Sequence, residues 1–263
     1  MEISTEQKGP ESLTRSKAKA KTDAAMVRFS PAFVQTKNVR NLWVMMDGLL
    51  LDRSDVGDER LGCVWGRAGR GKTRTVQTWA AAHGAIYLAT VSVWSEVDFL
   101  AAICRELGVR QIPHRKGKCF GLLIETLMRN PRPIIIDEIE RFGQKYLEIV
   151  RDIANVSGGV VVLVGEEELP HLMRQNRRVW SRTYRAMEFE PIPASDIISY
   201  VHQCTGLGLT KEALEVLHKS SQGDLRLVRR DTIALTHAYN NLRRSGDVDE
   251  ETARIAVKES LRG

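Results

Sequence analysis

Residues 66–73 read GRAGRGKT and come directly after the apolar run LGCVW at residues 61–65. The apolar run predicts a buried strand, and the residues after Lys72 predict a helix that ends at Gly84. Glycines at these positions let the backbone curl so that successive N–H groups point into one concavity at the start of the helix. The pattern G-x-x-x-x-G-K-[ST] in this setting is typical of a loop that binds the phosphates of a nucleotide.

The side chains of this loop predict separate roles toward a bound nucleotide. Lys72 is placed to reach the β- and γ-phosphates, and the hydroxyl of Thr73 is placed to ligate Mg²⁺. The alternative is a glycine-rich turn that fits the pattern by chance. The predicted strand before the loop and the predicted helix after it argue against this alternative. We therefore expect ATP and Mg²⁺ as cofactors. The predicted ATP-binding residues of the loop are Gly66, Gly69, Arg70, Gly71, Lys72, Thr73 and Arg74.

A second apolar run, at residues 134–136, ends in the carboxylates of Asp137 and Glu138. At the carboxyl end of a strand beside the loop, Asp137 would hold hydrated Mg²⁺ and Glu138 would polarise the attacking water as general base. An acidic strand end on its own is mostly structural, but here it follows a phosphate-binding loop in the same chain. The pair therefore predicts ATP hydrolysis, with Glu138 and Lys72 as catalytic residues.

Strand and helix patterns alternate over residues 29–193, which predicts an α/β domain with a parallel five-stranded sheet between helices. After residue 193 only helical patterns follow, so residues 194–263 predict a small all-helical lid domain. Residues 1–28 are rich in Lys, Ser, Thr and Glu and predict a disordered, mildly basic tail. Further strands are predicted at 85–90, 159–164 and 187–190, and helices of the α/β domain at 96–107, 120–129, 146–156 and 169–174.

The composition argues against several other classes of protein. The apolar fraction of 43% and the charged fraction of 27% are those of a globular protein, and no run of about eighteen apolar residues predicts a membrane span. The four cysteines are scattered without a C-x-x-C pair, so we expect reduced thiols and a cytoplasmic location rather than disulfides or a zinc site. The net charge of +6 is compatible with a nucleic-acid partner, although a plain basic surface would give the same value.

Arginine residues are concentrated in two further places. One set lies between Glu168 and Glu188 with no acid among them, and it predicts a solvated basic face, a nucleic-acid patch or an arginine finger that reaches a neighbouring subunit's γ-phosphate. Its members are Arg174, Arg177, Arg178, Arg182 and Arg185. The other place is the sequence GDLR at 223–226, where Arg226 begins a helix of the lid and is placed to reach back over the phosphates.

In this order the motifs resemble those of the AAA+ ATPases, and the chain looks most like the MuB/TnsC/TniB group of transposition ATPases from about Phe33 onward. The phosphate-binding loop and the strand that ends in Asp-Glu are shared by all AAA+ proteins. The opening segment at residues 33–40 and the strand before Gly165 favour the MuB/TnsC/TniB group among them. The stretches that carry it are FVQTKNVR at 33–40, VWG at 64–66, PIIIDE at 133–138, VVVLVG at 160–165, RVWSR at 178–182 and FEPI at 189–192.

The resemblance implies an ATPase whose ATP-bound subunits associate with one another as a helical filament or ring on duplex DNA. Such an assembly recruits or stimulates a transposase at target sites. Carried over by position, Arg182 matches the catalytic arginine finger and Arg226 matches a second sensor of the nucleotide. Phe33 and Val34 match the segment that packs near the adenine, so they are also expected to bind ATP.

The resemblance also implies that DNA lies along loops after the second strand, which correspond to residues 91–95 and 110–118. Arg115, Lys116 and Lys118 are the expected contacts to DNA phosphates, and a plain solvated loop is the alternative. Phosphate contacts do not read sequence, so binding should weaken steeply with salt. Since the tail is too short and polar for the N-terminal DNA-binding domain of some MuB-like proteins, the ATPase domain is expected to contact DNA.

One departure from the group concerns the residue after Gly165. These proteins usually place a small polar sensor of the γ-phosphate there, whereas Glu166 follows here, and its carboxylate would repel the phosphate unless Mg²⁺ or an arginine intervenes. Glu166 therefore leaves open a nucleotide-gated scaffold with negligible hydrolysis. A replication initiator or helicase loader, with the same fold and another partner, is a further alternative.

Overall fold

The computed structural model describes residues 26–51 and 60–261. The predicted tail lies outside these residues except for positions 26–28, and residues 52–59 also lie outside them. Among the described helices, none is long and apolar enough to cross a membrane.

Five parallel strands form one sheet in the order β2-β3-β4-β1-β5. The strands are β1 Leu61–Trp65, β2 Ile86–Ala89, β3 Ile134–Asp137, β4 Val161–Val164 and β5 Thr183–Glu188. The three central strands are short apolar runs that are almost fully buried, as expected when helices cover both faces of a parallel sheet. The register places Val64, Val164 and Asp137 in one row, so the residues after β1, β4 and β3 meet at the same end of the sheet, here called the carboxyl edge.

Two layers of helices cover the sheet. Buried apolar side chains of α1 and α2 pack on one face with Ile135 and Val162, and those of the remaining helices pack on the other face with Ile134 and Leu163. The helices of this domain are α1 Lys37–Leu51, α2 Lys72–His83, α3 Glu96–Glu106, α4 Lys116–Arg129, α5 Gln144–Ser157, α6 Leu169–Gln175 and α7 Arg177–Trp180, with a 3₁₀ helix at Ile139–Phe142.

The C-terminal helices form a separate core, the lid. They are α8 Ala194–Thr205, α9 Lys211–Ser221, α10 Leu225–Asn241 and α11 Glu250–Ser260. The segment before α1 also packs here, because Val34 is buried in the lid core and the Ser30 N–H donates to the Cys204 carbonyl at 2.7 Å. The residues that precede α1 therefore tie the lid to the sheet domain.

The predicted parallel five-stranded sheet and helical lid are confirmed. Two predicted boundaries are wrong. Helix α4 begins at Lys116 rather than at residue 120, because packing of the buried Cys119 outweighs the weak helix propensity of Gly117. Strand β5 begins at Thr183 rather than at residue 187, since this edge strand is only partly buried and does not need an apolar run.

All four cysteines are buried free thiols. Burial raises the pKa of Cys63 and of Cys104 to about 12, so both thiols are protonated at neutral pH. They serve as small apolar side chains of the core and have no role in the chemistry below.

Candidate nucleotide site

The loop predicted to bind phosphates connects β1 to α2 at the carboxyl edge. Gly66 has a φ of 147°, and a Cβ there would lie 2.7 Å from the carbonyl oxygen of Phe189, so the residue after β5 holds the start of the loop. The Lys72 side chain is buried, and its ammonium donates to the carbonyls of Gly66 and Arg67, which places it inside the loop. Burial lowers the pKa of Lys72, while nearby carboxylates, above all Glu166, act in the opposite direction.

Asp137 is buried beside this loop and organises its polar groups. Oδ2 of Asp137 accepts hydrogen bonds from the Thr73 hydroxyl at 2.8 Å and from the Tyr87 hydroxyl at 3.0 Å. Burial, and then the charge of Asp137, raises the pKa of Tyr87, so this hydroxyl stays a donor at neutral pH. The predicted pair of Thr73 and Asp137 is thus brought together, whereas Tyr87 was missed because it comes from the neighbouring strand β2.

The oxygens of Thr73 and Asp137 fit a magnesium ion. Mg²⁺ prefers hard oxygen ligands and is usually held by one or two protein groups together with phosphate oxygens and water. The described residues contain no group of three or more His, Cys, Asp or Glu side chains that could hold a metal by themselves. A shared site of protein and nucleotide oxygens is therefore the arrangement that these residues can provide.

Glu138 follows Asp137 at the strand end and has an unusual backbone. Its φ of 60° lies in the left-handed region, and its carbonyl accepts a hydrogen bond from the Thr90 hydroxyl at 2.8 Å. Its carboxylate forms an ion pair with Arg141, with 3.0 Å between Oε2 and Nη1. The predicted general base therefore lies beside Asp137, but it is engaged by a cation of the 3₁₀ helix.

Glu140 was not predicted and is the second carboxylate at this edge. Its Oε1 accepts the N–H of Glu166 at 3.1 Å, and a Cβ on Gly165 would lie 2.2 Å from its Oε2. Burial is the main cause that raises the pKa of Glu140, with Asp137 and Glu166 adding to the shift. Glu140 thus fixes the loop after β4, and no pattern along the chain indicated this contact because the partners are 26 residues apart.

The lid touches the phosphate-binding loop directly. The Leu225 N–H donates to the Gly69 carbonyl at 3.0 Å, and Nη1 of Arg70 donates to the Gln222 carbonyl at 3.0 Å. Arg70, predicted as an ATP ligand, therefore reaches the lid in this structure. Arg226 is exposed at the start of α10, and its charge lowers the pKa of Lys72, so the predicted sensor does lie within electrostatic range of the loop.

The residues predicted near the adenine lie at the junction of the lid and α2. Val34 is buried in the lid core, and Phe33 beside it is half-buried. A guanidinium nitrogen of Arg74 donates to the Ala32 carbonyl at 3.5 Å. Arg74 thereby holds the opening segment beside α2, one turn from the phosphate-binding loop.

The contact between lid and loop predicts a strong effect of Gly69→Ala. A Cβ at Gly69 would lie 2.0 Å from Oδ2 of Asp224, and the φ of Gly69 is 85°. We expect Gly69→Ala to weaken ATP binding at least ~10-fold and to lower the free energy of unfolding by about 2–4 kcal/mol, because backbone strain and collision add. Isothermal titration with ATP and thermal unfolding measure the two effects.

Gly84→Ala provides the matched control for this prediction. Gly84 has a φ of 62°, but a Cβ there would meet no atom within 4 Å. Backbone strain alone should therefore lower the free energy of unfolding of this variant by about 1–2 kcal/mol. Its affinity for ATP should not change. Equal losses of ATP affinity in both variants would contradict the role of the lid contact.

Arg182, the predicted finger, lies at the other end of the sheet. Its carbonyl accepts the N–H of Leu61, the first residue of β1, at 3.1 Å, whereas the phosphate-binding loop follows the last residue of β1. Five residues of strand at about 3.3 Å per residue separate these positions by roughly 15 Å. Arg182 therefore does not belong to the nucleotide site of its own chain, and Arg177 and Arg178 are exposed on α7 near it.

The predicted DNA-contacting residues begin helix α4 instead of lying in a loop. Arg115 is the N-cap residue, and Lys116 and Lys118 occupy the first turn. Lys116 forms an ion pair with Glu96 of α3, and Lys145 of α5 pairs with the same carboxylate. Residues 110–118 contain no acid, but the fold brings Glu96 to Lys116 and partly neutralises its charge. Arg115, Lys116 and Lys118 are all exposed.

Comparison with known proteins identifies the domain that carries this site. The AAA domain family matches residues 54–173, a range that includes the phosphate-binding loop, the Asp-Glu strand and the loop after β4. The match extends from the residues before β1 into α6, and the lid lies outside it.

Curated proteins that are similar to this chain are transposition proteins. It is 27% identical over 210 residues to the Mu-like prophage FluMu DNA transposition protein B of Haemophilus influenzae, covering 76% of this chain and 71% of that protein. It is also 27% identical over 188 residues to the ATP-dependent target DNA activator B of Escherichia phage Mu, covering 70% of this chain and 54% of that protein. The chain therefore spans about half the length of the phage protein. The similarity to these proteins confirms the resemblance to the MuB group.

Solved structures similar to this chain include Cdc6p from Pyrobaculum aerophilum, with a TM-score of 0.65, 18% identity, and coverage of 91% of this chain and 73% of that one. The RuvB Holliday junction branch migration motor of Thermotoga maritima has a TM-score of 0.57 and 16% identity, and covers 86% of this chain and 70% of that one. At these identities the likeness concerns the fold alone, which includes the lid.

Proposed function

We propose that this protein is an ATP-dependent, sequence-tolerant DNA-binding AAA+ ATPase that assembles on duplex DNA and recruits or stimulates a transposase at target sites. The observation that carries the proposal is the contact of 2.8 Å between the Thr73 hydroxyl and Asp137, beside a loop that encloses Lys72. The curated relatives, named for ATP dependence, target DNA and transposition, support the partners. A cytoplasmic location, where ATP and the DNA are available, belongs to the same proposal.

The chemistry follows from the groups at the carboxyl edge. Lys72 would bind the β- and γ-phosphates, and Thr73 and Asp137 would hold Mg²⁺, which would neutralise charge on the transferring phosphoryl group. Glu138 accepts a proton from the water that attacks the γ-phosphorus in line, and the products are ADP and inorganic phosphate. Arg226 and Glu166 both lie within electrostatic range of Lys72, so a cation and an anion of opposite effect both act on the phosphate-binding loop.

The position of Arg182 supports assembly as part of the function. A finger whose backbone lies roughly 15 Å from the phosphate-binding loop of its own chain is proposed to act on a neighbouring subunit, by a head-to-tail contact that generates a ring or a helical filament. ATP binding at such a shared site stabilises the contact between subunits. Nucleotide binding is thus proposed to be the signal for assembly on DNA.

A replication initiator is the closest alternative, and the comparisons favour transposition over it. The solved structure of Cdc6p is similar in fold at 18% identity, whereas the proteins that match over 70–76% of the chain at 27% identity are transposition proteins. Sequence similarity over that length supports the transposition role more strongly than a shared fold does.

The proposal is tested by the affinity for duplex DNA of arbitrary sequence with and without ATP and Mg²⁺. We expect ATP to tighten binding at least ~10-fold, because assembly adds contacts along the strand. Lys72→Ala should remove this dependence, since the ammonium that binds the phosphates is lost. Fluorescence anisotropy of labelled DNA measures both. Equal affinity of the wild-type protein with and without ATP would contradict the proposal.

The first turn of α4 is proposed to contact DNA phosphates through Arg115 and Lys118, with Lys116 in a lesser role. The double variant Arg115→Ala/Lys118→Ala should bind DNA more weakly and reduce the slope of log K against log salt by about 2, one unit for each lost contact. The matched control is Arg129→Ala, which removes an exposed arginine from the last turn of the same helix. An unchanged salt slope in the double variant would place the DNA on another surface.

A further inference from the structure

The side chain of Arg70, in the phosphate-binding loop, reaches the end of a lid helix. Its Nη1 donates to the Gln222 carbonyl at 3.0 Å, and Gln222 is the C-cap residue of α9, with a φ of 49°. The last carbonyls of a helix have no partner inside it and form the negative end of its dipole. The guanidinium therefore satisfies a carbonyl that α9 leaves unpaired, and its positive charge is favourable at this position.

The loop presents different groups to its inside and to the lid. Gly69 and Gly71, on either side of Arg70, have φ values of 85° and 92°, which let successive N–H groups of the loop converge on one concavity. The Lys72 ammonium donates to two carbonyls of the loop and lies inside it. The main chain and Lys72 are thus available to phosphates, whereas the Arg70 guanidinium is bound to Gln222.

A second hydrogen bond joins the same turn of the lid to the loop. The Leu225 N–H donates to the Gly69 carbonyl at 3.0 Å. The approach is close at Gly223, where a Cβ would lie 2.9 Å from Nη1 of Arg70 and 2.6 Å from the Cβ of Pro191. The turn between α9 and α10 is therefore enclosed by the loop on one side and by the segment before α8 on the other.

The segment that connects β5 to the lid is itself fixed to both domains. The Phe189 N–H donates to the Trp65 carbonyl at 2.7 Å, and the Ile192 N–H donates to the Gly223 carbonyl at 3.1 Å. A lid that moves away from the loop has to break the bonds made by Arg70 and by the Leu225 N–H. The bond of Arg70 is made by a side chain, so a substitution removes it without altering the main chain.

We propose that Arg70 is a positioning residue that fastens the lid to the phosphate-binding loop and thereby slows the release of a bound nucleotide. The inference rests on the proposed function and gives Arg70 a role other than that of a phosphate ligand. Because one hydrogen bond contributes a modest net free energy, its loss accelerates nucleotide release by about three- to ten-fold. The acceleration is equal for ATP and ADP, since the guanidinium binds a carbonyl of the lid and not the γ-phosphate.

The first measurement is amide hydrogen exchange of the full chain without added nucleotide. In Arg70→Ala the Leu225 N–H should exchange about three- to ten-fold faster, because the lid separates from the loop more often. The Val228 N–H, which donates to the Asp224 carbonyl inside α10, should keep its rate. A general loss of stability would accelerate both amides, so this pair separates fastening of the lid from support of the fold.

The second measurement is the release of fluorescent derivatives of ADP and of a non-hydrolysable ATP analogue, followed by stopped flow. Arg70→Ala should release both about three- to ten-fold faster than the wild-type protein, and Arg70→Gln repeats the test if the alanine variant folds poorly. Lys219→Ala is the matched control, because it removes an exposed cation from the last turn of α9. Gln222→Ala keeps the carbonyl that Arg70 binds. Both of these variants should release nucleotide at the wild-type rate.

Unchanged exchange of the Leu225 N–H, or unchanged release of both nucleotides, in both Arg70 variants would overturn the inference. Faster release of the ATP analogue alone would also overturn it and make Arg70 a ligand of the γ-phosphate, and so would an equal acceleration in Lys219→Ala. Failure of the proposed function is recognised separately, as a wild-type protein that binds neither nucleotide nor DNA. The exchange of the Leu225 N–H does not depend on that outcome.

Discussion

The Glu138→Gln variant is expected to bind ATP with wild-type affinity and to hydrolyse it at least ~100-fold more slowly, because general-base catalysis contributes about 10²–10⁴-fold. The amide keeps the size of the side chain but cannot accept the proton of the attacking water. Lys72, Thr73 and Asp137 are unchanged, so the proposed contacts to phosphate and Mg²⁺ should remain. Phosphate release and ATP titration measure the two properties.

The same variant should form longer-lived assemblies on DNA, since ATP persists at the contacts between subunits. Glu125→Gln is the matched control, because it alters an exposed carboxylate that pairs with Arg129 on α4, away from the site. Normal turnover in Glu138→Gln, or rapid disassembly of its complexes with DNA, would show that Glu138 is not the base. Glu140, which lies near Lys72 and accepts the Glu166 N–H, would then be the residue to change next.

The Arg182→Ala variant is expected to lose about 10³-fold or more in ATP turnover, the range attributed to arginine fingers. Its affinity for ATP as an isolated subunit should not change, because Arg182 lies at the start of β5 and the loop lies beyond the far end of β1. This separation of turnover from binding distinguishes a residue that acts on the neighbour from one that merely supports the fold. ATP titration at low protein concentration and turnover at high concentration make the comparison.

Arg177→Ala and Arg178→Ala are the comparisons for this prediction, because both residues are exposed on α7 close to Arg182. Each should retain most of the wild-type turnover. If Arg182→Ala behaves like the wild-type protein and one of these variants loses turnover instead, the finger is reassigned to that residue while the shared site stands.

Most of the fold could be predicted because its central strands are buried on both faces. β1, β3 and β4 are short apolar runs, and a parallel sheet leaves no polar face to interrupt them. β5 lies at the edge and includes Thr183 and Arg185, so its start could not be read from an apolar pattern. The start of α4 was missed for a related reason, since one glycine and two lysines precede its first apolar residues.

The candidate site was predictable where neighbours in sequence carry the chemistry. The phosphate-binding loop and the pair Asp137 and Glu138 are contiguous motifs, and the fold brings them together as predicted. Tyr87, Thr90 and Glu140 reach the same edge from other elements, so only their positions in the fold reveal them. The ion pair between Lys116 and Glu96 could not be predicted for the same reason, because Glu96 belongs to another helix, α3.

A mixing experiment with two inactive variants tests most directly whether each nucleotide site is completed by the next subunit. Glu138→Gln supplies an intact Arg182, and Arg182→Ala supplies an intact loop and base. In a random mixture of equal parts on DNA, about a quarter of the head-to-tail contacts combine the two intact halves, so turnover should recover to roughly that fraction of the wild-type rate. Turnover of the mixture no greater than the mean of the two variants alone would contradict a shared site.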